Sequence, residues 1–151
     1  MKLRDLLVLF IVVSTISVLS CKEKKVVDVR GVTDKSIKIG TSLPITGAAA
    51  SLGVQLAEAA RNYVKYVNEQ GGIHGRMLDL VVEDDRYLIP PAIAALKKLV
   101  YKDKVFAFVG PGSASLLNVL WKKIQENKLP TVSITMPDLA VEPFKKYIFI
   151  I

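Results

Sequence analysis

The sequence predicts an α/β fold built on a parallel, doubly wound sheet, and three observations carry that expectation. Short apolar segments rich in Val, Ile and Leu alternate along the chain with longer segments whose apolar residues recur at helical spacing. Glycine and proline stand at the junctions between them. One apolar segment, Val105 to Val109, has no polar alternation at all, which suits a strand buried on both faces. Strand and helix in strict alternation imply right-handed crossovers and a sheet covered on both sides.

The chain opens with a basic Met1-Lys-Leu-Arg4, a mostly apolar run from Leu6 to Leu19, and Val18-Leu19-Ser20-Cys21. This is the order of a secretory signal, with a run shorter than the roughly 20 residues a bilayer span needs. The only cysteine of the chain stands at the cleavage point, where it has no partner for an internal disulfide. The arrangement resembles a bacterial lipobox with Val18 at the position more often held by Leu. It implies that residues 1–20 are removed and that Cys21 becomes the lipid-modified terminus. Residues 21–35, charged and without apolar periodicity, read as a tether.

Ser36 to Leu43 alternates apolar and polar and stops at Pro44, as a strand does. The loop Pro44–Gly53 is built of small residues. Val54, Ala57, Ala60, Val64 and Val67 then mark a helix, closed by Gly71-Gly72. Met77 to Glu83 is a second strand. Pro90-Pro91 opens a second helix, since proline is tolerated in a first turn, and Ile93, Leu96 and Val100 give its apolar stripe. Val105–Val109 is the third strand. The loop Gly110-Pro-Gly-Ser113-Ala-Ser115 leads into a helix carrying Leu117, Leu120, Trp121 and Ile124. Thr131–Ile134 and Tyr147–Ile151 are the fourth and fifth strands.

Ligands of such sheets sit outside the carboxyl ends of the strands. The loops to watch are therefore Pro44–Gly53, Asp84–Pro90, Gly110–Ser115 and Ser133–Pro137. In Gly110–Ser115, backbone N–H groups and the dipole of the following helix favour a carboxylate, and serine hydroxyls add donors. A helix cap by Ser113 is the plainer use of the same residue.

Other chemistry finds little support. The net charge is +7, yet the lysines are scattered along helix faces with no interleaved aromatic residues, so a nucleic-acid site is not expected. No phosphate-binding G-x-x-x-x-G-K-[ST] occurs and no G-x-G-x-x-G follows the first strand. His74, the single histidine, lies in a glycine turn with no second ligand at metal spacing. Adjacent Glu83-Asp84-Asp85 on a strand end point to opposite sides, which suits loop fixing better than acid–base work. Neither an enzyme, a metal nor a cofactor is expected.

Ile37-Lys-Ile-Gly40, Leu43-Pro44, Thr46-Gly47 and Leu52-Gly53 resemble the opening of the type I periplasmic binding proteins of the branched-chain amino acid (Leu/Ile/Val) receptor family. Asn68-Glu-Gln-Gly71-Gly72-Ile73-His-Gly75-Arg76, Leu80-Val-Val-Glu-Asp84-Asp85, Lys98-Leu99-Val100 and Val109-Gly110-Pro111 follow in that family's order. The resemblance covers residues 36–151 and implies the amino-terminal lobe of a two-lobed clamp, with flavodoxin-like strand order and the second lobe absent. It further implies an exported, envelope-located binding component of an ABC importer. Its partners would be a small amino-acid-like solute, a permease and the membrane that holds the lipid anchor. A sensory receptor ectodomain of the same fold is the alternative.

The resemblance also assigns residues. The loop holding the ligand's carboxylate falls on Gly112, Ser113, Ala114 and Ser115, with the family's usual serine position occupied by Ala114. A further ligand threonine falls on Thr135, for which a turn ahead of Pro137 is the plainer use, and a pocket-lining aromatic is replaced by Leu52, for which core packing at the helix start is the plainer use. With half of the clamp, binding of millimolar strength or weaker is expected, about −4 kcal/mol.

Overall fold

The computed structural model describes residues 28–111, 113–133 and 146–151. Five strands, β1 (Ser36–Leu43), β2 (Met77–Asp84), β3 (Ala107–Val109), β4 (Thr131–Ser133) and β5 (Ile148–Ile150), form one sheet. All four pairings are parallel and the spatial order is β2-β1-β3-β4-β5. That is the flavodoxin-like order expected from the sequence. The helices are α1 (Ala50–Glu69), α2 (Ile89–Lys97) and α3 (Ala114–Glu126). A π-helical turn, Lys98–Lys102, extends α2.

Each element forms for a local reason. Pro90 and Pro91, with φ fixed by their rings, stand at the second and third positions of α2, inside its first turn. Gly71 and Gly72, at φ 95° and 72°, let the chain leave α1, and the Gly72 N–H donates back to the Val67 carbonyl. Gly53 is required by close approach. A Cβ there would lie 2.0 Å from the Pro44 carbonyl oxygen, so α1 packs directly on the loop that leaves β1.

The core lies between the sheet and the pair α2–α3. Phe108, Leu96, Leu99, Leu117, Leu120, Ile124 and Leu129 are all essentially inaccessible to solvent. On the other face α1 crosses β1 and β2, with Gly53 and Ala57 buried. Here the structure departs from a sheet covered on both sides. Val109 pairs in register with Val132, and Val132 with Phe149. This row stays 37–54% exposed, because no helix among the described residues crosses β3, β4 and β5 on that side. The run Val105–Val109 is correspondingly shorter as a strand than its composition suggested, and its last residue faces solvent.

Residues 28–35, the end of the segment read as a tether, are fastened to the sheet. The Lys38 N–H donates to the Gly31 carbonyl at 2.7 Å, and Val32 makes a bridge with Ile37.

Candidate functional site

The carboxyl edge of the sheet concentrates the buried polar residues. Of the six among the described residues, Thr41, Ser42, Asp85, Ser113 and Ser133 lie there, and only Thr131 does not. Burying a hydroxyl or a carboxyl without full satisfaction is costly, so such a cluster marks the edge as specialised.

Two carboxylates set the loops around it. Asp84 ends β2. Its Oδ1 accepts from the backbone N–H groups of Ile45 (2.9 Å), Arg86 (3.0 Å) and Thr46 (3.3 Å), and its Oδ2 accepts from the Thr46 hydroxyl. Burial pushes its carboxyl up, but these four donors outweigh it and hold the pKa below the ordinary 3.8. Asp84 thus ties the loop after β1 to the loop after β2.

Asp85 is fully buried, and that desolvation raises its pKa. The Tyr87 N–H, donating to Oδ1 at 2.9 Å, and the nearby Ser42 hydroxyl pull the other way. The Ser42 hydroxyl and Asp85 Oδ2 nevertheless lack a partner at full hydrogen-bond geometry. Arg86 and Tyr87 both take left-handed backbone, φ 54° and 60°, which costs on the order of 1 kcal/mol each and is held by the two aspartates.

Ser113 sits at the N-cap of α3 with extended backbone and is 6% exposed. Its side chain makes no capping hydrogen bond. Its carbonyl accepts from the Leu117 N–H, which leaves the first-turn N–H groups of α3 aimed at the edge without helical partners. Ala114 is half-buried and Ser115 is exposed. Gly112 and Thr135 lie outside the described residues, as does Cys21.

Beside this loop, between α1 and the sheet, runs a cavity of about 170 Å³. Leu56 and Ala60 of α1 form one wall, Val109, Val132 and Ile151 the other, and Thr41, Gly110 and Ser133 border it. Gly110 lets β3 and β4 close here, since a Cβ would meet Ser133 at 3.0 Å. A complete small-molecule pocket is roughly 300–1,000 Å³, so this cavity is too small to be one by itself. Leu52 precedes Leu56 by one turn on the same helix row and is 54% exposed.

Sequence reasoning finds the Gly110–Ser115 loop and the loop that begins at Ser133, but misses Leu56 and Thr41. The row Leu52, Leu56, Ala60 at i, i+4 spacing was a legible signal. The polar ends of two otherwise apolar strands were another.

The geometry is that of the carboxyl edge of a doubly wound lobe, and comparison with known proteins specifies which kind of lobe it is. The chain belongs to the periplasmic binding protein family, whose model matches residues 36–151. Over 106 residues it is 31% identical to a Leu/Ile/Val-binding protein of Rhizobium johnstonii, covering 69% of this chain and 29% of that one. Among solved structures it resembles a fatty acid ABC transporter substrate-binding protein from Thermomonospora curvata. The TM-score is 0.69 at 29% identity, over 81% of this chain and 30% of that one. It also resembles the branched-chain amino acid transporter substrate-binding protein of Streptococcus pneumoniae, solved in complex with isoleucine. There the TM-score is 0.70 at 27% identity, over 77% of this chain and 33% of that one. The chain therefore spans a third or less of the length of these proteins, and it matches their amino-terminal lobe.

Proposed function

We propose that this chain is the amino-terminal half of an extracytoplasmic solute-binding site serving an ABC importer, and that its solute is an amino acid or a related small carboxylate. The observation that supports this most directly is the buried Ser113 at the start of α3, whose hydroxyl does no capping. A carboxylate seated there would receive first-turn N–H groups, the favourable end of the helix dipole and the hydroxyl of Ser113. Leu56, Val109 and Val132 would meet an apolar side chain in the adjoining cavity.

Gly112 precedes Ser113 in sequence, Ala114 and Ser115 open α3, and Thr135 follows β4 in sequence; we assign them to the solute's polar end, and Leu52 to the rim. Closure by a second lobe would exclude water and strengthen each polar contact. The half-site alone binds at millimolar strength or weaker.

Residues 1–20 are read as a leader and Cys21 as the acylated anchor, which would place the protein in the periplasm or cell envelope. Among the described residues no helix is long and apolar enough to cross a membrane. Labelling cells that express the full chain with a radioactive fatty acid tests the anchor. Label is expected in the parent protein and absent from a Cys21→Ala variant; equal label in both refutes the assignment. For the site, titration of isoleucine into the parent chain and into Ser113→Ala should show weak binding lost in the variant. Submicromolar binding by the parent, or an unaffected variant, would overturn the half-site reading.

A further inference from the structure

The amino-terminal edge of the sheet differs in charge from the ligand edge. Because all strands are parallel, every segment that precedes a strand lies on that one side. Hydrogen bonds gather them: Met77 N–H to the Lys35 carbonyl, Arg76 Nε to the Thr33 carbonyl, Arg30 Nη2 to the Asn127 carbonyl and Thr131 N–H to the Tyr147 carbonyl.

Residues 28–35, 70–76, 102–106, 127–130 and 146–147 hold seven cations and three acids, Asp28, Asp34 and Asp103. The segments at the opposite edge, 44–49, 84–88, 110–111 and 113, hold one cation, Arg86, and two acids, Asp84 and Asp85. Five of the seven cations, Lys35, Lys102, Lys104, Lys128 and Lys146, are exposed. None belongs to the ion pairs of the described residues, whose cations are Lys38, Arg61, Lys65, Arg86 and Lys98.

Two further features bear on what this edge can meet. Lys104 and Lys128 occupy left-handed turn positions, φ 55° and 50°, where glycine or asparagine is the low-cost choice, so charge stands at the tips of both turns. Val29 and Ile73 in these segments, and Met77 and Tyr101 directly beside them, are 37–65% exposed. The polypeptide also reaches the lobe here, at Asp28, after a stretch containing Lys22, Lys24 and Lys25 and the apolar run Leu6–Leu19.

We infer that this edge docks on an anionic lipid surface, so that the lobe stands with its ligand edge turned away from the membrane. Cations beside scattered aliphatic side chains suit headgroups and the outer acyl boundary. Tyr101 is the one exposed Tyr, Phe or Trp at this edge among the described residues, and a single ring falls short of the series of stacking aromatics a nucleic-acid groove uses, which argues against nucleic acid as the occupant. The inference takes its setting from the proposed export and anchoring, but its geometry does not depend on them.

The test uses the full chain with Cys21→Ala, so that no acyl anchor forms, and measures cosedimentation with phosphatidylcholine vesicles with and without added phosphatidylglycerol. Preference for the anionic vesicles that disappears in high salt is expected. Each cation near such a surface is worth about fivefold in partitioning, so Lys102→Gln, Lys104→Gln and Lys128→Gln together should weaken binding roughly a hundredfold. The same three positions changed to Arg should retain it, and Arg61→Gln, Lys65→Gln and Arg86→Gln together should leave it within about twofold. Equal binding to neutral and anionic vesicles, or equal loss in the two glutamine triples, overturns the proposal. So does a lysine-dependent affinity for duplex DNA without a vesicle preference. Detergent-phase partitioning of the parent chain, with Cys21 intact, reads the anchor separately.

Discussion

At the scale of single residues, the two adjacent aspartates make opposite predictions. Asp84 accepts four hydrogen bonds, so Asp84→Ala leaves N–H groups unpaired and should cost about 1–3 kcal/mol in urea unfolding near neutral pH. Its folded pKa is depressed, so its stabilisation is present above 3.8 and is lost as pH falls through the folded value. Asp85 runs the other way. Its folded pKa is raised, so the fold is penalised as pH rises from 3.8 through that raised value and is relieved on acidification. Asp85→Asn should therefore match or exceed the parent's stability at neutral pH and flatten the dependence just above 3.8. A variant less stable than the parent at neutral pH would show that the charged carboxylate is needed. Ser113→Ala should change stability by less than about 0.5 kcal/mol, since no capping bond is lost. A loss of about 1 kcal/mol in thermal unfolding would return Ser113 to a capping role.

Among the elements, α3 carries both the core and the site. Leu117, Leu120 and Ile124 lie fully buried one turn apart, so Leu120→Ala should cost about 2–5 kcal/mol in chemical denaturation and displace the loop that α3 begins. These helices were legible because their apolar periodicity is the same fact as their burial. Five strands and their order were likewise readable from alternation and from the family resemblance. The ends of the short strands were not. Val105-Phe106 reads as strand by composition, yet only Ala107–Val109 is strand: the Val105 N–H donates to the Leu99 carbonyl in the preceding helical turn, and Phe106 only enters the sheet, its N–H donating to the Lys38 carbonyl of β1. The site was legible as a loop but not as a cavity. Its walls come from Leu56, Val109 and Val132, which meet only through the crossover of α1, a distance no local pattern encodes.

At the largest scale, the row Val109, Val132 and Phe149, which no helix covers among the described residues, is the feature sequence could not disclose. An apolar strand does not reveal which of its faces a helix will cover. Exposed contiguous apolar surface of this kind promotes association. Phe149→Ser should therefore lower the self-association of the chain seen by sedimentation velocity while leaving the far-ultraviolet circular dichroism unchanged. Association that persists in the variant would place the sticky surface elsewhere.

The central claim is that the carboxyl edge of this lobe receives the carboxylate of a small solute at the start of α3. Amide chemical shifts followed during an isoleucine titration of the full chain test it most directly. The account predicts shifts concentrated at Ser113 to Leu117 and at Val109 to Pro111's neighbours in β3 and β4, saturating only in the millimolar range or above. Shifts confined to the outer face of α1, or none at those positions while binding is detected by calorimetry, would contradict it.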